Sequence, residues 1–357
     1  MTREARRRSA TVADVAAAAG VSKAQAARAL GSYGQVSQAV RDKVQKAAKD
    51  LGFRRNRLAA TMTTGRSNIL GVVVSEIENP HFGLAVRGMS DTARAAGYDL
   101  MLLNTDENVE AEVDAVRVLT EKQVDGLIVT PSFPGRTEHL QEVIDLGIPL
   151  VQFDRQIKDL DAEAVTVDFS AATSAAIEEL IRTGHRRVAY LSSLDWDEPF
   201  DWDADLDGAP VRQRIHGLHQ AFVIHGLEAD PALIRFNARS SAAVSAIVDD
   251  LLSGDPPTAF VASDSLIAQR LLGELARRAV RIPDDVSFLM YDDFEWTTLI
   301  SPRLTVIAQP VYAAGARAAA KLIAQISGTP GTTEEPLEAT LIRRDSIGPV
   351  AVAAHSG

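Results

Sequence analysis

The chain has 357 residues, 46% of them hydrophobic, a formal net charge of −11 and no cysteine. That length suggests two or three domains with ordinary buried cores, and the lack of cysteine excludes disulfides, thiolate metal sites and cysteine nucleophiles. No stretch approaches the roughly 20 apolar residues of a membrane span, and no apolar run follows Arg3, Arg6, Arg7 and Arg8. A cytoplasmic protein with no secretory signal and no membrane partner is therefore expected.

The charge is unevenly spread. Residues 1–68 hold 14 Lys/Arg against Glu4, Asp14, Asp42 and Asp50, a surplus of +10 that leaves −21 on the remainder. A small basic head on a large acidic body is the distribution of a polyanion-binding module joined to a solvated regulatory or catalytic body.

The stretch TVADVAAAAGVSKAQAARALG, residues 11–31, predicts two short helices. Thr11 with Asp14 forms a capping box, Val12, Val15, Ala16 and Ala19 make a narrow apolar stripe, and Gly20 supplies a left-handed stop. Ser22 and Gln25 read as a second capping box. Helices joined only through Gly20 and Val21 must cross steeply, which is helix-turn-helix geometry. A third capped helix is predicted over 37–51, with Val40, Val44, Ala47, Ala48 and Leu51 on one face and Gly52 as its stop. If the second helix enters a major groove, Lys23, Ala24, Gln25 and Arg28 meet base edges, while Ser22 and the helix N-terminus suit a phosphate. The segment 56–65 has a capping Asn and a terminal Gly but is too short to be a stable helix alone.

From Ile69 the pattern changes to alternating strands and helices. Apolar runs at 69–74, 98–103, 126–129, 149–153, 187–191, 258–261 and 286–291 predict buried parallel strands, and hence doubly wound sheets. Ligands bind such sheets at the carboxyl ends of strands. This selects Asp154 and Arg155, Ser263 and Asp264, and Asp292 as candidates. The segment DWDEPFDWDADLDGAP at 195–210 carries seven acids and two tryptophans. It is expected to be a solvated lid whose Trp196 or Trp202 stacks on a ligand. Its Asp203–Gly208 part matches the opening of a calcium-binding loop, but Arg214 stands where the closing Glu is needed, so no metal is assigned. The chain has no Gly-rich phosphate loop, HExxH or GxSxG. No catalytic residue and no cofactor are assigned, and no enzyme is expected.

Several motifs occur in order: TVADVAAAAGVSKAQAARAL, RRNRLAATMTTGRSNILGVVV, NPHFGLAVRGMSDTARAAGYDL, VDGLIVTP, IPLVQFDR, TGHRRVAYL, RQRIHGLHQAF, SDSLIAQRLLGEL, IPDDVSFLMYDDFEW and LTVIAQPVYAAG. Together they resemble the LacI/GalR family of bacterial transcription regulators, to about residue 345. The resemblance implies an α/β protein: an all-α helix-turn-helix head, and a body of two doubly wound parallel-sheet lobes like that of periplasmic binding proteins. The head would span 1–54, a hinge 55–68 and the body 69–357. Lobe 1 would hold about 69–165 plus 293–327, and lobe 2 about 166–292 plus 328–357.

The resemblance also places two hinge helices in the minor groove of DNA, with Met62 as the apolar wedge. Thr11, Ser22, Lys23, Ala24, Gln25, Arg28, Asn56, Leu58, Ala59 and Met62 form the DNA-binding set. It adds Arg214 as a ligand-binding arginine and Phe82 as an aromatic wall, beside the strand-end residues. The chain departs from the family at Arg55, where Pro is usual, and at Gly31, Gln25 and Ala27, where Asn, Thr and Ser are common. The expected function is a homodimeric repressor on a pseudo-palindromic double-stranded DNA operator, controlled by a sugar-like small molecule. The rival expectation is a solute-binding protein with no DNA-reading function.

Overall fold

The computed structural model describes residues 10–31, 36–53, 66–132, 136–204, 206, 210–329 and 336–350. The chain divides into two compact units, Met1–Ser67 and Asn68–Gly357.

In the first unit, α1 (Val12–Ala19) starts on the capping box of Thr11 and Asp14 and ends at Gly20, whose φ of 65° is left-handed. Helix α2 (Lys23–Gly31) follows after two residues, and Ser37 caps α3 (Gln38–Asp50). The three close on Val15, Ala16, Ala26, Ala29, Val44, Ala47 and Ala48, with Val21 packed at the corner. Small side chains let the helix backbones approach, so about seven buried residues suffice for a core of this size. Leu51 departs from the expected face. It is 43% exposed, because α3 ends at Asp50, and Phe53 packs on the core instead.

In the second unit, β1 (Ile69–Val74), β2 (Asp99–Asn104), β3 (Gly126–Val129), β4 (Leu150–Phe153) and β5 (Glu163–Val165) form one parallel sheet, ordered β2-β1-β3-β4-β5. A second sheet contains β6 (Val188–Leu191), β7 (Ile234–Arg235), β8 (Ala259–Ala262), β9 (Ser287–Tyr291), β10 (Thr305–Ala308) and β11 (Thr340–Ile342). Its order is β11-β10-β9-β8-β6-β7, parallel except for β11 against β10. Intervening helices are α4 (Pro80–Ala95), α5 (Val109–Glu121), α6 (Glu138–Asp145), α7 (Ser170–Arg182), α8 (Pro210–Ile224), α9 (Ser241–Leu252), α10 (Ser265–Arg277) and α11 (Val311–Ser327).

The central strands β1, β3, β6 and β8 are covered on both faces and apolar along their length, whereas β2, expected to be buried, is an edge strand with Asp99 and Leu102 exposed. Val72 and Val74 share a cluster with Ala85 and Met89 of α4 and Ala318 and Leu322 of α11, while Val73 turns to Ala115, Val116 and Leu119 of α5.

One boundary differs from expectation. Strand β10 pairs with β9 in the second sheet, so the chain stays there past 293 and leaves only after Ala308. A four-residue strand says nothing by itself about which sheet it joins; the pairing decides. Helix α11 then packs on α4 at a glycine-to-backbone contact. A Cβ on Gly315 would lie 2.0 Å from the Ala85 carbonyl oxygen, and one on Gly88 2.2 Å from that of Tyr312. Among the described residues no helix is long and apolar enough to cross a membrane.

Candidate functional site

The head presents its DNA-facing candidates around two caps. Thr11 donates its N–H (2.8 Å) and hydroxyl (2.7 Å) to Asp14. Ser22, Lys23 and Ala24 are exposed at the start of α2, with Gln25 and Arg28 half-buried behind them. Gln25 accepts from the Ser22 N–H at 3.0 Å and from its hydroxyl at 3.1 Å, so its carbonyl oxygen already caps the helix. The Arg28 Nε donates to the Ala24 carbonyl at 3.2 Å. Asn56, Leu58, Ala59 and Met62 lie outside the described residues.

In the second unit, the carboxyl ends of both sheets border one cleft with about 710 Å³ of free volume, partly open to solvent. Its lining brings together Phe82, Asp154, Arg155, Arg214, Ser263, Asp264 and Asp292. Asp154 and Asp292 follow β4 and β9 with φ of 66° and 75°. Such left-handed backbone is unusual for a residue with a side chain and turns each carboxylate off the end of its strand.

Arg214, 8% exposed on α8, lies 4.4 Å from the ring centroids of both Phe169 and Tyr291, and donates to the Ser263 carbonyl at 2.6 Å. Its Nε is buried without a partner. Burial and Arg214 act in opposite senses on the Tyr291 phenol; burial wins and pushes it up to about 12. Asp264 caps α10, accepting from the N–H groups of Leu266 and Ile267 at 2.9 and 3.0 Å. Burial raises its pKa. Arg155 grips Glu107 with both terminal nitrogens, at 2.6 and 2.5 Å.

Sequence reasoning missed Glu76, Asn79, His81, Glu107, Ser192, Arg239 and Gln309, all of which line the cleft. Asn79 caps α4 by accepting from the His81 N–H at 3.1 Å; the Asn-Pro pair at 79–80 was a legible helix start. His81 is 6% exposed. Its Nε2 faces Asp154 at 3.5 Å and its Nδ1 faces Asp292 at 4.0 Å. Burial opposes charge on Asp154, but the contact with His81, helped by Arg155 and Arg214, outweighs it and holds the carboxyl at about 2.

The two tryptophans are not part of this lining. Trp196 packs on Phe236, with ring centroids 6.0 Å apart, and its backbone is held by Asn237. Trp202 stacks on His219 at 4.1 Å and lines a separate pocket with Phe200, Arg212, Ile215 and His216. Phe200 meets Trp202 edge-on and lies, like Trp196, against Phe236, so neither tryptophan lines the cleft, where a ligand-stacking role was expected of them.

Comparison with known proteins fits this architecture. Residues 11–56 match the profile described as bacterial regulatory proteins, lacI family, and residues 177–347 a periplasmic binding protein-like domain. The chain is 30% identical over 320 residues to the HTH-type transcriptional repressor PurR of Vibrio atlanticus (strain LGP32), covering 89% of this chain and 92% of that one. It belongs to the LacI family. This LacI-family chain is thus a DNA-binding transcriptional regulator, in a family of regulators rather than enzymes. Its fold resembles that of the lac repressor dimer bound to operator and the anti-inducer ONPF, with a TM-score of 0.78 and 22% identity over 95% of this chain and 99% of that one. It also resembles a LacI family transcriptional regulator from Enterococcus faecium with bound ribose, with a TM-score of 0.67 and 25% identity over 79% of this chain and 99% of that one.

Proposed function

We propose that the protein is a cytoplasmic repressor that grips a pseudo-palindromic DNA operator as a homodimer and is controlled by a sugar or sugar derivative bound in the cleft. The head and hinge, 1–68, would read DNA, and 69–357 would bind the ligand and the second copy.

The observation that carries the ligand reading is the cleft's chemistry. Two carboxylates, the half-buried Asp154 and the buried Asp292, offer acceptors, Arg214 supplies a guanidinium, and Phe82 supplies an apolar ring. Paired acceptors, a guanidinium and a ring face suit hydroxyls and C–H surfaces together. The relative with bound ribose supports the same class. Two heads on a two-fold dimer call for a two-fold DNA site.

The test is selection of bound fragments from the organism's sheared DNA at near-physiological salt, with and without a panel of neutral sugars. A sharp, roughly palindromic site whose recovery changes with one sugar is the expected result. No enrichment under any condition would overturn the reading. Arg214→Ala should abolish the sugar response while leaving DNA affinity nearly intact.

A further inference from the structure

His81 occupies an unusual position. It stands on the first turn of α4 between two carboxylates, Asp154 at the end of β4 in one sheet and Asp292 at the end of β9 in the other. Gln309, just after β10, joins the group. Its amide nitrogen donates to Asp292 Oδ1 at 2.5 Å and lies 3.2 Å from His81 Nδ1. A donor facing Nδ1 makes that nitrogen the acceptor and puts the ring proton on Nε2, toward Asp154. The Gln309 Oε1 is buried with no partner. Turning the amide would therefore offer an acceptor to a second proton, on Nδ1.

The ring can thus be neutral, held by the Gln309 donor, or charged, facing a carboxylate on each side. Asp154, Asp292 and Arg214 together carry −1; a protonated His81 brings the group to zero. Glu76, Asp264 and Arg239 add a further −1 and Glu107 is tied to Arg155, so the whole cleft carries −2 with His81 neutral and −1 with it protonated.

We propose that His81 is a positioning residue that tunes the charge preference of the cleft. Protonated, it halves the cleft's negative charge and shifts preference toward a neutral, hydroxyl-rich molecule. Neutral, it restores the full negative charge and shifts preference toward a cationic one. Burial works against its charge, but Asp154 and then Asp292 prevail and raise its pKa above the ordinary value. The charged form therefore persists toward neutral pH and is lost above it. The ring is only 6% exposed at the cleft wall, and it acts through the two carboxylates it faces.

This inference rests on the cleft being a sugar site, and the experiment separates the two. Calorimetry on the full chain would compare neutral sugars with counterparts bearing a quaternary ammonium, such as glucose and galactose with their 6-deoxy-6-trimethylammonio derivatives, at pH 6 and 8.5, because the amine of a 2-amino sugar loses its proton over the same range. In the wild type the ratio of neutral to cationic affinity should fall about tenfold from pH 6 to pH 8.5, the effect of one charge in a partly buried site. His81→Gln should show the low ratio at both pH values. A ratio independent of pH in the wild type, or unchanged in His81→Gln, overturns the proposal. Ring-nitrogen NMR titration of the wild type gives a ligand-free reading. If no sugar binds to either protein, the sugar assignment fails, and the titration alone decides: a His81 pKa at or below the ordinary value overturns the role.

Discussion

Arg155 lines the cleft, but most of its donors serve the protein. Beside its two bonds to Glu107, it donates to the Pro131 carbonyl at 3.0 Å. The side chains of Arg155 and Glu107 are only 15% and 20% exposed. Removing the guanidinium strands a buried carboxylate, which typically costs about 3 kcal/mol or more. Arg155→Ala should lower the urea midpoint accordingly, and adding Glu107→Gln should restore most of it. An unshifted midpoint in the single variant would refute the pairing. Asp154 gives a pH test. Its folded value of about 2 lies below its ordinary value of 3.8, so its contribution is full above about pH 4 and is lost as pH falls toward 2. The shift corresponds to about 2 kcal/mol. Asp154→Asn should therefore flatten the fall in stability between pH 4 and pH 2, and an unchanged slope would show that this carboxylate is not the group responsible.

Helix contacts carry a sharper prediction than any single polar group. On α11, Gly315 meets the Ala85 backbone so closely that a methyl group cannot be accommodated unless the helices separate. Overpacking of this kind costs about 1–3 kcal/mol and sometimes more. Gly273, within α10, has nothing within 4 Å of its Cβ position, so alanine there should gain up to about 1 kcal/mol of helix propensity. Thermal unfolding of Gly315→Ala and Gly273→Ala should move in opposite directions; a shared direction would refute the close approach of α4 and α11. The elements themselves differed in how plainly the sequence announced them. The three caps of the head and the apolar runs that became β1, β3 and β9 were legible, because local hydrogen-bond donors and double-sided burial each impose a residue pattern. Strands β5, β7 and β11 have only two or three residues, too few to carry a period. Cleft residues divide in the same way. Asp154, Ser263 and Asp292 follow a recognisable apolar run, whereas His81, Glu107 and Gln309 reach the cleft from a helix turn, a loop and a chain crossing, and only long-range pairing brings them there.

At the scale of the whole molecule, charge and symmetry make the remaining prediction. The +10 of residues 1–68 and the −21 of the rest confine attraction for a polyanion to the head, so the salt dependence of DNA binding reports on heads alone. Each phosphate neutralised by Lys or Arg releases condensed counterions, and log K falls against log salt by about 0.9 per phosphate on duplex DNA. A homodimer on a two-fold operator engages two heads, but on a fragment carrying one half-site only one head finds its matched contacts. The slope on the full operator should therefore be nearly twice the slope on a half-site fragment flanked by just enough duplex for one head. Fluorescence anisotropy across a series of salt concentrations, with short fragments that exclude a second head, measures both. Removing residues 1–67 should abolish binding to either fragment at every salt concentration and leave sugar binding in place. Equal slopes on the two fragments would mean that one head serves each operator, and the two-fold reading of the protein on DNA would fall.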